Sequence, residues 1–139
     1  MTAPTPWRRR LLPWLPVFAV MAGIFVLSSQ SGLKVSEDPV VERPIRATGH
    51  LLAYATLAAL SLVALSWGRV PRLRDAVIAF AIAVAYGLSD ELHQSFVPER
   101  SGRLDDVLTD IVGALIGIVV AVVVLTAAAH VGTRREDSA

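Results

Sequence analysis

Tyr86-Gly-Leu-Ser-Asp-Glu-Leu-His-Gln-Ser-Phe-Val-Pro-Glu-Arg100 closes an otherwise apolar helical segment with four polar side chains, Asp90, Glu91, His93 and Gln94. On membrane-insertion scales, a carboxylate at the middle of a spanning helix costs about 2.5 to 3.5 kcal/mol. Two adjacent carboxylates at the edge of such a segment therefore indicate a functional site. The alternative interpretation is a solvated helix end that is followed by a turn.

The composition is that of a small membrane protein with one domain. The 139 residues are 54% hydrophobic and 18% charged, and the mean hydropathy is +0.57, which is too apolar for a soluble domain of this size. The absence of cysteine excludes disulfides, thiolate metal sites and a cysteine nucleophile. The basic residues lie between the apolar segments and form no single patch, so no nucleic-acid partner is expected.

The predicted fold is an all-α bundle of four transmembrane helices at about residues 11–30, 47–67, 75–96 and 104–129. A span needs about 20 apolar residues to cross a hydrocarbon core about 30 Å thick, and each run has about that length. These helices form one domain over residues 11–130, between polar tails at residues 1–10 and 131–139. Residues 31–46, which contain Pro39 and Pro44, are predicted to form a loop on the membrane surface.

Two further expectations concern the first span and the orientation. An arginine-rich start before an apolar run is also typical of a cleaved signal peptide, but no Ala-x-Ala site follows the run, which favours a retained span. Eight of the 13 Lys and Arg residues lie in the two tails and the second loop. Both termini are therefore predicted to be cytoplasmic in a multi-pass protein of the cell membrane.

With four alternating spans, the polar helix ends meet on the outer side of the bilayer. The residues at these ends are Ser28, Ser29, Gln30, His50, Tyr54, Asp90, Glu91, His93, Gln94, Asp105, Asp106 and Asp110. The opposite half of the bundle is almost wholly apolar. This segregation predicts one polar cavity that opens to the outer leaflet or to the extracytoplasmic water.

Helical spacing indicates which side chains point inward. Tyr86, Asp90 and Gln94 recur every four residues and share one helix face. Asp106 and Asp110 share a face with a Gly-x-x-x-Gly motif at residues 113–117, a motif that lets a neighbouring helix approach closely. Asp110 lies deeper and needs a cationic partner, for which the available residues are Arg100, Arg103 and His50.

Together these motifs resemble the VanZ-like family of small membrane proteins over about residues 25–120. The matching segments are Ser28-Ser29-Gln30, His50-x-x-x-Tyr54, Tyr86-x-x-x-Asp90-Glu91-x-x-Gln94-x-Phe96-x-Pro98-x-Arg100 and Asp106-x-x-x-Asp110-x-x-Gly113-x-x-x-Gly117. Two positions depart from the family pattern: Asp110 replaces a frequent Asn, and Arg46 is the nearest basic residue before His50, where a Lys is common. The namesake of the family is linked to teicoplanin resistance, which implies a role in cell-envelope lipid or wall-precursor biology.

The candidate site residues follow from the motifs and from this resemblance. The catalytic candidates are Asp90, Glu91, His50 and Asp106, and the substrate-binding candidates are Arg100, Gln94, Tyr54, Tyr86, Asp110 and Gln30. A divalent cation, Mg²⁺, Mn²⁺ or Ca²⁺, is a candidate cofactor because these ions prefer oxygen ligands; Asp90, Glu91 and Asp106 would hold either such a cation or hydroxyl groups of the ligand. His93 is interpreted as structural, His130 as a membrane-interface residue of the tail, and Asp105 as a helix N-cap.

Three functions are compatible with the sequence. The leading hypothesis is a protein that binds, and in one version modifies, a lipid-linked wall precursor or a lipid headgroup, with a link to teicoplanin resistance. The second is a proton- or ion-coupled transporter with intramembrane carboxylates as relays. The third is a non-enzymatic membrane scaffold whose charge cluster only stabilises the bundle. The sequence does not decide whether the protein is an enzyme.

Overall fold

The computed structural model describes residues 11–31, 36–100 and 102–136, with side chains as far as Val131, and these residues are all-α. A single 3-10 turn, Leu12–Trp14, precedes α1 (Leu15–Ser28), α2 (Pro39–Leu65), α3 (Leu73–Gln94) and α4 (Leu104–Glu136). The all-α class is thus confirmed over the described part of the chain. The predicted tail at residues 1–10 lies outside it.

Among the described residues, three of the four helices are by length and composition apolar enough to cross a membrane, as in a multi-pass membrane protein. The candidate spans are Pro39–Leu65, Leu73–Gln94 and Leu104–Val131. The apolar segment Leu12–Ser28 is shorter than these three. The count of four spans and the cytoplasmic termini therefore remain predictions.

The start of α2 differs from the surface loop that was predicted over residues 31–46. Asp38 caps the helix by accepting a 2.9 Å hydrogen bond from the backbone N–H of Val40, and Pro39 occupies the first turn, where a missing N–H costs nothing. Pro44 lies inside the helix. As a result, Arg46, His50 and Tyr54 follow one another at four-residue intervals on one helix, and Arg46 belongs to the same face as His50.

The closest helix contact is that between α2 and α4. A Cβ atom at Gly113 would collide with the backbone of Leu51, and one at Gly117 would collide with the backbone of Ala55. Small residues at an interface allow this approach, and the resulting packing replaces the hydrophobic driving force that lipid does not supply. Both contact pairs run in the same direction along the two helices, so α2 and α4 are parallel. In chain order, α3 connects the end of α2 back to the start of α4.

The end of the bundle opposite the polar cluster has its own fixed turn between α2 and α3. Gly68 adopts a positive φ of 76° there. The carboxylate of Asp75 accepts hydrogen bonds of 2.6 and 2.8 Å from the Arg69 guanidinium and one of 2.8 Å from the backbone N–H of Arg72. The first turn of α3 is therefore capped, and the Asp75 carboxylate is paired by residues of the α2–α3 turn, independently of the polar cluster at the opposite end of the bundle.

The close approach of α2 and α4 predicts that Gly113→Ala and Gly117→Ala each destabilise the bundle. Because the obstructing atoms belong to the backbone, the helices have to separate, at a cost of about 1 to 3 kcal/mol. The free energy of unfolding, measured by SDS titration in mixed micelles, reports this loss. Gly23→Ala in α1 is the matched control, since no atom lies within 4 Å of its added Cβ. An equal response of all three variants would contradict the packing described here.

Candidate functional site

Buried polar side chains converge where the start of α2, the end of α3 and the start of α4 meet. Four of the five buried carboxylates in the described chain lie here, namely Asp90, Glu91, Asp106 and Asp110, and each is at most 7% exposed. Gln94 is fully buried among them. Since an unpaired charge at this depth is costly, the partner of each carboxylate determines what the site can do.

The parallel packing of α2 on α4 forms two polar side-chain pairs in the same register, a histidine–carboxylate pair and an arginine–carboxylate ion pair. Nδ1 of His50 lies 2.9 Å from Oδ1 of Asp110, and the Arg46 guanidinium lies 2.7 Å from the Asp106 carboxylate. The partners in each pair are 60 residues apart in sequence. Of the three cations that the sequence offered to Asp110, the structure selects His50.

The second oxygen of Asp110 is buried and has no hydrogen-bond partner among the described residues. It faces Gly87 of α3, where an added Cβ would lie 3.1 Å from Oδ2 of Asp110 and 3.3 Å from the Tyr54 ring. The Tyr54 hydroxyl, in a side chain that is 1% exposed, likewise has no partner in the described chain. The deepest part of the site thus contains two unused polar atoms.

Gln94 connects the acidic and the basic halves of the site. Its amide nitrogen donates to Asp90 Oδ2 at 2.9 Å and, over a longer 3.4 Å, to Glu91 Oε1. Its amide oxygen accepts from the guanidinium groups of Arg46 at 3.2 Å and Arg100 at 3.3 Å. One neutral side chain therefore holds two carboxylates and two arginines in fixed positions.

Arg100 enters the site from the turn after α3. Its backbone N–H donates to the carbonyl of Val97 at 3.1 Å, and Glu99 within this turn has a φ of 63°, a left-handed conformation that is unusual outside glycine. The guanidinium also donates to the carbonyls of Leu27 and Gln30, each at 3.1 Å. Burial lowers the pKa of Arg100, and the nearby charge of Arg46 lowers it further.

The other predicted residues have different roles. The Gln30 side chain is exposed, and only its carbonyl reaches Arg100. The Tyr86 hydroxyl donates to the carbonyl of Met21 at 2.6 Å and ties α3 to α1. Oε2 of Glu91 accepts from the backbone N–H of Arg103 at 2.7 Å. Oxygen and nitrogen atoms of His50, Glu91 and Asp110 lie within 4.8 Å of one another, close enough for the three residues to serve as metal ligands.

Two residues near the site have structural contacts. His93 lies 3.0 Å from the Ser29 hydroxyl and stacks on the Phe25 ring with centroids 4.8 Å apart, as expected for a structural residue. Asp105 is in the first turn of α4, is exposed, and lies 3.4 Å from the Arg103 guanidinium. Because α4 begins at Leu104, Asp105 lies inside the helix, and its prediction as the N-cap was wrong.

A cavity of about 270 Å³ adjoins this cluster, between α1, α2 and the end of α3. Its apolar wall includes Ile24, Leu27 and Ile45. Its polar wall consists of Ser28, Glu42, Arg46, His50, Tyr54, Asp90, Gln94 and Arg100. The candidate carboxylates Glu91, Asp106 and Asp110 are not part of this wall, but they contact Gln94, Arg46 and His50, which are.

Arg46 belongs to the site but was not among the site residues that the sequence predicted. Arg46, His50 and Tyr54 are spaced four residues apart, and this spacing would have identified Arg46. The prediction of a loop over residues 31–46 placed Arg46 outside the helix, so the spacing was not used. The Nε atom of Arg46 is buried and has no hydrogen-bond partner among the described residues. Arg46 therefore retains a donor beyond those used by Asp106 and Gln94.

The burial of the Arg46–Asp106 pair predicts a coupling that an exposed pair lacks. A double-mutant cycle with Arg46→Gln and Asp106→Asn should give a coupling energy of about 1 to 3 kcal/mol in the free energy of unfolding. The same cycle with Arg103→Gln and Asp105→Asn should give less than about 0.5 kcal/mol, because that pair is 3.4 Å apart with side chains 44% and 81% exposed. Equal coupling energies for the two pairs would refute a specific buried pair.

Comparison with known proteins agrees with the arrangement of motifs. The model of the VanZ/LLP1 family matches residues 8–125, a range that includes α1, α2, α3 and the part of α4 that contributes to the buried cluster. No curated protein and no solved structure matches the chain. The match covers most of the sequence, and the chain belongs to the VanZ/LLP1 family.

Proposed function

We propose that the cavity binds the anionic headgroup of a cell-envelope amphiphile, a phospholipid or a lipid-linked wall precursor. The observation that carries this proposal is that Arg46 and Arg100 line the same cavity as the apolar side chains Ile24 and Leu27. The planar guanidinium fork matches the geometry of phosphate oxygens. Both arginines now donate to one amide oxygen of Gln94, a neutral acceptor that a phosphate can replace.

The size and position of the cavity favour an amphiphile over a soluble anion. Pockets that enclose a drug-sized ligand have volumes of about 300 to 1,000 Å³, so about 270 Å³ accommodates a headgroup and leaves an acyl or prenyl chain outside. Leu27 and Ile45 line the cavity and are 56% and 41% exposed on the surface of the bundle. A lipid chain would continue along this apolar surface in the bilayer.

The version in which the protein modifies its ligand depends on His50. This residue lines the cavity, and its Nδ1 is held by Asp110 behind the wall. A carboxylate that orients an imidazole in this way supports general acid–base catalysis. The resemblance to a family with a teicoplanin-linked namesake supports the further proposal that loss of the site changes teicoplanin susceptibility or the composition of envelope lipids.

The two alternative functions have less support. A transporter needs polar groups across the whole depth, but in the apolar half of the described chain the hydroxyls of Ser61, Ser66 and Thr126 donate to carbonyls of their own helices at 2.7 Å. A non-enzymatic scaffold would require only that the buried carboxylates and arginines neutralise one another. Arg46 lines the cavity, and its buried Nε has no hydrogen-bond partner among the described residues. Both observations favour a site that receives a ligand.

The binding proposal predicts that a soluble short-chain phosphatidic acid binds the purified protein in zwitterionic detergent. Arg46→Gln and Arg100→Gln should each weaken binding about 10- to 100-fold, the equivalent of one hydrogen-bonded charge contact worth about 1.5 to 3 kcal/mol. Isothermal titration calorimetry measures the dissociation constants.

Arg103→Gln is the matched control, because its exposed side chain lies outside the headgroup cavity and its charge change is identical. Wild-type affinity in this variant supports recognition by Arg46 and Arg100. An equal loss of affinity in all three variants would mean that the phosphate responds only to the net charge of the protein, which would contradict the proposal. Equally tight binding of the diacylglycerol with the same chains would show that the phosphate is not recognised.

A further inference from the structure

We propose that His50, Glu91 and Asp110 form a binding site for a divalent transition-metal ion of the Zn²⁺ type, behind the wall of the headgroup cavity. Each residue offers one ligand atom, and these atoms lie within 4.8 Å of one another. The three residues come from α2, α3 and α4. The helix packing itself, rather than a flexible loop, therefore sets their positions.

The ligand types select the kind of metal. One imidazole nitrogen with two carboxylate oxygens suits Zn²⁺ and related ions, whereas Mg²⁺ and Ca²⁺ prefer oxygen alone. The oxygen set that the sequence suggested, with Asp90 and Asp106, is occupied by protein partners. Gln94 binds Asp90 at 2.9 Å, and Arg46 lies 2.7 Å from Asp106.

The charge balance of the cluster also favours a cation. Four buried carboxylates face two arginines, Arg46 and Arg100, and the imidazole of His50. Burying an excess of negative charge at membrane depth is costly. A divalent cation between Glu91 and Asp110 removes this excess without protonating either carboxylate.

Both carboxylates of the proposed site have an oxygen that the protein leaves unpaired or weakly paired. Asp110 is 2% exposed, and its Oδ2 has no hydrogen-bond partner among the described residues. Glu91 Oε1 has only the long 3.4 Å contact with Gln94, while its Oε2 is anchored by the backbone N–H of Arg103. Zinc binds oxygen and nitrogen at about 2.0 to 2.2 Å, so the ligand atoms have to approach by at most about 1.5 Å when the ion enters.

Three protein ligands leave a fourth zinc position for water or a ligand oxygen. Because His50 also lines the headgroup cavity, the ion would lie at the cavity edge. The site does not require the headgroup proposal to be correct, since none of its three ligands is an arginine of the phosphate-binding wall.

The test is metal binding by the full-length protein in detergent. After chelation and reloading, we expect one zinc ion per chain by inductively coupled plasma mass spectrometry. Cobalt substitution should give the intense visible absorption of a four- or five-coordinate site. Asp110→Asn and Glu91→Gln should weaken zinc binding at least as much as the loss of an outer-shell partner, about 10- to 100-fold.

Asp105→Asn is the matched control, because this carboxylate is on the same helix as Asp110 but is exposed. Equal zinc retention by Asp105→Asn and Asp110→Asn would overturn the proposal, as would a wild-type cobalt spectrum of the weak octahedral kind. The cobalt spectrum of the wild-type protein tests the zinc-site proposal even if a variant fails to fold. Arg46→Gln should retain zinc, so failure of the headgroup proposal leaves this result unaffected.

Discussion

The contact of α2 with α4 through Gly113 and Gly117 is the constraint on which the rest of the structure depends. With two backbones in direct contact, the preceding turn of each helix has no room to diverge, so His50 meets Asp110 and, one turn further out, Arg46 meets Asp106. The glycines thus determine the register of the charges as well as the packing. This is why an apolar interface and a polar site occur on the same pair of helices.

The second requirement is neutralisation of four buried carboxylates. Gln94 bridges the acidic and basic residues through hydrogen bonds, while Arg100 ties the turn after α3 to the end of α1. Asp106 and Asp90 have partners within the protein, but Asp110 Oδ2 and the Tyr54 hydroxyl do not among the described residues. A bundle that was selected only for stability would gain from pairing them, because unsatisfied buried groups cost about 1 to 3 kcal/mol. Their presence supports a site that is completed by a ligand or an ion.

The sequence predicted the helical class, the glycine face and the polar residues that lie at the cluster, because hydrophobic runs and helical periodicity are local signals. It did not predict the start of α2, because proline breaks a helix interior but favours the first turn, and only the Asp38 cap distinguishes the two cases at Pro39. The sequence also did not predict the hydrogen-bond partners of individual side chains. Arg100 donates to backbone carbonyls and to Gln94, and the Tyr86 hydroxyl donates to α1. These partners depend on side-chain torsions and tertiary contacts, which the sequence does not specify.

The central claim is that the polar cluster lies at the outer end of the bundle, where it can meet an envelope amphiphile. The absence of cysteine gives a clean background for single-cysteine labelling in intact cells. Phe96, beside the cluster, and Trp67, at the opposite end, are 79% and 63% exposed. We predict that a membrane-impermeant maleimide labels Phe96→Cys in intact cells and labels Trp67→Cys only after permeabilisation. The reverse pattern would place the site in the cytoplasm and contradict the account.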